Sequence, residues 1–83
     1  MEETSLMAYK EIEPTLGERQ KEVYLAIKSL VETDNLLLSR YLRLPINSIT
    51  PRVLELRKLG LVKKVRVGKS IVTNRNVNFW WLK

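Results

Sequence analysis

The stretch from Pro45 to Val62, PINSITPRVLELRKLGLV, leaves its backbone few choices. Asn47 or Ser48 can act as an N-cap by accepting from free backbone N–H groups, and Pro51 is tolerable when it sits in the first turn, where few N–H groups have intrahelical partners. A helix over 47–59 follows. Ile49, Val53 and Leu56 recur at helical spacing with Leu59 close behind, while Ser48, Thr50, Arg52 and Glu55 fall on other faces. Gly60 supplies the left-handed residue that ends the helix, and Lys58 lies near the negative end of its dipole. One side of this helix packs, the other is open, and the chain runs straight on into extended structure.

Upstream, residues 1–13 read as an acidic, flexible arm, in which Leu6, Met7, Tyr9 and Ile12 can form a short apolar face on a partner or on the domain itself. Pro14 marks a boundary, and residues 14–83 form one domain. Thr15 to Glu18 has the T-x-x-E spacing of a capping box, so a first helix is expected from there to about Thr33, with Val23, Ala26, Ile27, Leu30 and Val31 inward. Asp34 or Asn35 can cap a second helix through Leu42, with Leu38 and Leu42 inward and the small Ser39 allowing close approach. Leu36 to Leu38 cannot all face one way. Pro45 disfavours helix at Leu44, so Arg43–Leu44–Pro45 is a tight turn and helices two and three are consecutive, the helix-turn-helix unit.

After Gly60 the period changes. Leu61, Val62, Val65 and Val67 alternate imperfectly with Lys63, Lys64 and Arg66, as in a strand with one apolar and one basic face. Gly68 to Ser70 break or bulge it, Asn74 can take the left-handed conformation in a turn, and Val77–Leu82 return as the last strand. The fold class is therefore α+β: three helices followed by a β-hairpin over 61–82.

Charge narrows the function. The 83 residues carry a net charge of +6, but residues 1–14 hold four acids and one base, whereas residues 39–83 hold 11 bases and the single acid Glu55. Bases gathered on one portion of a small domain are the electrostatic footprint of a polyanion binder, although a charge run is also commonly a solvated face. The chain has no Cys and no His, so thiol, disulfide and imidazole chemistry are absent and a metal site has carboxylates alone to draw on. No constellation of acids lies in the basic half, and an enzyme is the least favoured reading. No uncharged run approaches the roughly 18 residues of a membrane span, and the acidic amino terminus does not look like a secretory leader. The expectation is a cytoplasmic protein, in the host cytoplasm if viral, with no membrane partner and no cofactor.

The string LPINSITPRVLELRKLGLV, followed by a basic hairpin with TNR at its turn and a Trp-rich final strand, resembles the winged helix-turn-helix superfamily, and most closely its small phage and prophage members. The resemblance covers Thr15 to Leu82. Asn74 stands where the phage-type pattern has Gly, and Trp81 is an aromatic where that pattern has a polar or basic residue. The resemblance implies double-stranded DNA as partner and a role as a small regulator of transcription or genome maintenance. It places helix three in the major groove, with Asn47, Ser48, Thr50 and Arg52 at its first turns, and Arg52 either contacts guanine, contacts a phosphate, or pairs with Glu55. Lys63, Lys64, Arg66, Lys69 and Arg75 would supply wing contacts to the backbone, with Arg75 able to reach a minor groove. It also assigns Trp80 to the core, although Val77, Phe79 and Trp81 share the alternate parity and could instead form the buried row. A homodimer is one arrangement that would enlarge the small DNA surface a single module covers. The competing reading is a winged helix used for protein–protein contact through Leu36 or Leu37, Trp81 and the arm, since a fold alone does not fix function.

Overall fold

A computed structural model of the chain describes residues 9–83. It is an α+β domain in which helices precede a two-stranded antiparallel hairpin, a layout compatible with a winged helix. Among the described residues, four helical elements have defined bounds where the sequence predicts three: a 3₁₀ turn over Glu13–Thr15, then α1 (Glu18–Leu30), α2 (Asn35–Leu42) and α3 (Ile46–Lys58). Strands β1 (Val62–Lys69) and β2 (Asn76–Leu82) complete the chain.

The extra turn is fed by helical residues 9–12, and Pro14 fits there because the first turn of a helix has no use for its missing N–H. Residues 1–8 of the expected arm lie outside the described residues, Leu6 and Met7 with them. Of the two places foreseen for its apolar side chains, Tyr9 and Ile12 take the domain: Tyr9 stacks on Tyr24 of α1 with ring centroids 4.1 Å apart and planes 5° from parallel, and Ile12 packs at the core margin.

The capping box expected at Thr15 and Glu18 does not form. Thr15 Oγ1 instead donates to the Ile12 carbonyl (2.7 Å), and α1 begins two residues later, with the Gly17 amide donating to Gln20 Oε1 (2.9 Å). The helix also ends sooner than Thr33. Val31 and Glu32 both have positive φ, 51° and 48°, which for a β-branched residue is a strained exit. That exit turns Val31 out to solvent, so it is not the core residue its spacing suggested. Thr33 then pairs with Trp80 by two backbone hydrogen bonds, tying the α1–α2 connection to β2.

Asp34 caps α2, one carboxylate oxygen accepting from the Leu36 and Leu37 amides at 2.9 and 3.0 Å. Leu38 is fully buried and Leu36 and Leu37 are half-buried. The turn to α3 is closed by Arg43 in the left-handed region (φ 57°), by the Leu44 amide on the Ser39 carbonyl, and by the Ser39 hydroxyl on the Leu44 carbonyl. Helix α3 starts at Ile46 with Pro45 as its N-cap, one residue before Asn47, so neither Asn47 nor Ser48 caps it. Pro51 consequently sits in the second turn and withholds an N–H from the Asn47 carbonyl.

Val23, Tyr24, Ala26 and Ile27 of α1, Leu38 of α2 and Ile49, Val53 and Leu56 of α3 form the core, closed beneath by Leu61, Val62, Trp80 and Leu82. Leu59 lies outside it, exposed at the helix end. Gly60 follows at φ 79° as the helix stop.

The hairpin's irregularity is earlier than Gly68. Lys64 pairs with Trp80 and Arg66 with Phe79, leaving Val65 as an extra residue in β1. Gly68 stays in register opposite Val77 beneath the Arg66 guanidinium; a Cβ there would lie 2.2 Å from Arg66 Nη1, so the end of that side chain would have to move. In the connecting turn, Asn74 is left-handed (φ 59°) and the buried Ser70 holds both ends together through its backbone. Trp80 is in the core as expected, Trp81 is half-buried, and Phe79 is buried on the opposite face.

Candidate nucleic-acid interface

Helix α3 buries one face, so its chemistry divides between an outward row and two flanks. Asn47, Pro51, Leu54 and Lys58 follow one another at i, i+4, i+7 and i+11 and all are exposed. Ser48, Arg52 and Glu55 lie on the flank toward α1, and Thr50 and Arg57 on the flank toward α2 and the hairpin.

On the α1 flank, Arg52 forms a two-point ion pair with Glu55, Nε to Oε1 at 2.8 Å and Nη2 to Oε2 at 3.2 Å. Gln20 of α1 donates to the same carboxylate at 2.8 Å. These bonds, Arg52's first and Gln20's second, hold the Glu55 carboxyl below its ordinary pKa. Of the three readings open to Arg52, pairing with Glu55 is the one realised in the unbound chain. Ser48 is half-buried nearby, its amide on the Pro45 carbonyl.

On the hairpin flank, a polar relay crosses three elements. The buried Trp80 donates its indole N–H to Asn35 Oδ1 (2.7 Å), which orients the amide so that Nδ2 donates to Thr50 Oγ1 (3.4 Å). The Arg57 guanidinium lies 4.8 Å from the centre of the Trp80 ring. Lys63 and Lys64 at the base of β1 join Arg57, Lys58 and Lys83 around one open groove. Asn47, exposed at the start of the outward row, completes the surface.

The remaining expected residues lie elsewhere. Arg66 pairs with Glu32 at 2.8 Å and stacks on Phe79 at 4.0 Å. The bulge at Val65 is the reason: residues directly opposite in a ladder share a face, so Arg66 goes with Phe79 while Lys64 goes with Trp80. Lys69 and Arg75 are exposed at the far end of the hairpin, remote in sequence register from Lys63 and Lys64. Sequence reasoning missed Leu54 and Arg57 and gave Lys58 only a dipole role, although extending the spacing from Asn47 and Thr50 reaches all three.

No protein-family model and no curated protein matches this chain.

Among the described residues, no three carboxylates converge as metal ligands would, and no helix is long and apolar enough to cross a membrane. The exposed apolar side chains differ from those expected for a protein contact: Leu25 and Tyr41 border a groove between α1 and α2, while Leu36, Leu37 and Trp81 are half-buried.

Proposed function

We propose that this chain is a winged helix-turn-helix protein that binds double-stranded DNA sequence-specifically, as a small regulator of transcription or genome maintenance of phage or mobile-element type. The observation that carries the reading is the composition of the surface around the exposed side of α3. Polar Asn47 and Thr50 and apolar Leu54 sit along a helix flanked by cations, the mixture that base edges, thymine methyl groups and phosphates require together. The helix has the width to enter a major groove, with the hairpin as the wing beside it. Asn47, with both donor and acceptor, matches an adenine edge, while Arg52 becomes available to guanine or phosphate when it leaves Glu55.

Selection of bound sequences from a random duplex pool tests the proposal directly. A recovered consensus supports it, and a palindromic consensus adds a homodimer; recovery of no preference at any salt concentration refutes sequence-specific reading. Binding should weaken with salt at a log–log slope of about −0.9 per phosphate neutralised. Arg75→Ala, at the hairpin turn, should lower that slope by about one unit without changing the consensus.

The second reading, a protein-interaction module, draws on Leu25 and Tyr41, which are 48% and 52% exposed beside the α1–α2 groove. An interface there would respond little to salt and would leave the cationic surface of α3 and the hairpin uncovered.

A further inference from the structure

The cations at the C-terminal end of α3 form a more specific arrangement than a basic face. Arg57 and Lys58 from α3, Lys63 and Lys64 from β1 and Lys83 after β2 surround an open groove of about 490 Å³ floored by Val62 and edged by Leu54. No Asp or Glu is among the residues lining it. The ion pairs found among the described residues, Arg19–Glu22, Arg52–Glu55 and Arg66–Glu32, involve none of the five. Glu55, the one acid in the basic half of the chain, is hydrogen-bonded by Arg52 and Gln20 on the α1 flank; among the five, Lys58 contributes to lowering its pKa through charge alone, without an ion pair. Five like charges around one concavity repel one another, and the low-dielectric walls of a concavity concentrate their field. Such an arrangement is relieved by a multivalent anion.

Local structure readies the groove for one. A helix C-terminus is ordinarily hostile to anions because its last carbonyls point outward. Here the amides of Leu59, Gly60 and Leu61 donate to the carbonyls of Glu55, Arg57 and Leu56, which occupies those acceptors. The Trp80 ring supports the Arg57 guanidinium, limiting the rotamer freedom lost on binding. The Lys83 amide donates to the Leu61 carbonyl at 3.0 Å, fixing that residue's backbone at the groove edge.

We propose that this groove is a phosphate cradle that grips consecutive backbone phosphates of a DNA duplex, beside the bases met by the N-terminal half of α3. The duplex as source rests on the DNA-binding reading; the phosphate chemistry stands on the groove alone.

Two measurements on the full chain test it. In the first, sodium tripolyphosphate and a random-sequence duplex are each titrated into the isotopically labelled protein, and backbone amide signals are followed. Both ligands should shift Lys58, Lys63, Lys64 and Lys83, and the duplex should in addition shift Asn47 and Thr50. Shifts with tripolyphosphate alone would keep the cradle, assign it to a soluble polyphosphate, and overturn the DNA reading. No shift of the groove residues with either ligand overturns the cradle. In the second, the triple variant Lys58→Ala, Lys64→Ala, Lys83→Ala is compared with the parent for duplex binding across salt concentrations. All three side chains are exposed, so the fold should persist. The salt slope should fall by two to three units, since each cation removed frees about one phosphate contact. An unchanged slope, in a parent that does bind duplex, removes the cradle and leaves the DNA reading standing.

Discussion

The two flanks of α3 carry similar side chains and treat them oppositely. Toward α1, the Arg52 charge is spent internally on Glu55, which Gln20 holds in place. Toward the hairpin, Arg57 rests on an aromatic ring and its cationic neighbours have no Asp or Glu among the residues that line their groove. A count of basic residues treats Arg52 and Arg57 alike, yet only the second presents its charge outward in the unbound chain. The arrangement of the acids, more than that of the bases, decides where a polyanion is attracted.

The most damaging way to break this contrast is through Trp80, because it both closes the core and organises the hairpin flank. Trp80→Ala should destabilise the domain by about 3–5 kcal/mol, as loss of a buried large aromatic does, measured by denaturant unfolding. Trp80→Phe separates the roles. It keeps most of the packing but leaves Asn35 Oδ1 without its indole donor, so a smaller loss of about 1–2 kcal/mol is expected. No loss for Trp80→Phe would show that the relay to Thr50 contributes nothing, and equal losses for the two variants would put the whole effect on the indole N–H.

The next effect belongs to the α1 flank, which is anchored from the amino terminus. Tyr9 is buried against Tyr24, and burial first, with the nearby Glu13 charge second, raises the pKa of its hydroxyl. Tyr9→Ala should cost about 2–4 kcal/mol by calorimetry or denaturant. A chain beginning at Pro14, which the sequence predicts to fold, should do so with a similar deficit. The raised pKa carries a sign of its own: the folded form holds the phenolic proton more tightly, so its stabilising share is complete below the ordinary value of 10.0 and declines as pH rises through the folded pKa. Tyr9→Phe should flatten that alkaline decline.

Smaller and more telling is the release of Arg52. Glu55→Gln removes the carboxylate from the α1 flank, so nonspecific duplex affinity should rise by about 3–10-fold at low salt and the salt slope should steepen by about one unit. Stability should change by less than about 1 kcal/mol, because the pair is only partly buried. Arg57→Ala should weaken binding more than Arg52→Ala in the same assay; the reverse order would invert the contrast between the flanks. The smallest effect is acid sensitivity. The lowered pKa of Glu55 means its contribution is present above the ordinary 4.5 and is lost as pH falls through the folded value. Glu55→Gln should remove that part of the acid limb.

What the sequence made legible was governed by neighbours within one turn. Asp34 as a cap, Asn74 as a left-handed residue, Gly60 as a stop and the buried spacing of Ile49, Val53 and Leu56 all depend on chemistry a few residues wide. Where two local solutions lay side by side, the pattern did not choose between them. T-x-x-E at Thr15 competes with G-x-x-Q at Gly17, and the outcome is set by Ile12 and the turn preceding it. The site was less legible because its decisive contacts are long-range. Gln20 to Glu55 spans 35 positions, Arg66 to Glu32 spans 34, and Trp80 to Asn35 spans 45. The winged-helix resemblance directs attention to α3 and the hairpin, but it does not say which cations there pair with acids.

The unpaired Val65 has a consequence for how this chain can change in length. Facing alternates along a strand, and an extra residue is the one residue that the ladder on either side of it does not count. Excising Val65 would make Lys64 and Arg66 neighbours on opposite faces, as Trp80 and Phe79 across from them already are, so Lys64–Trp80, Arg66–Phe79 and Gly68–Val77 would stay paired and only the local kink and extra twist of the bulge would go. A one-residue deletion at this point therefore keeps the phase of the distal hairpin, whereas a deletion at a paired position of β1 would turn every residue beyond it to the other face.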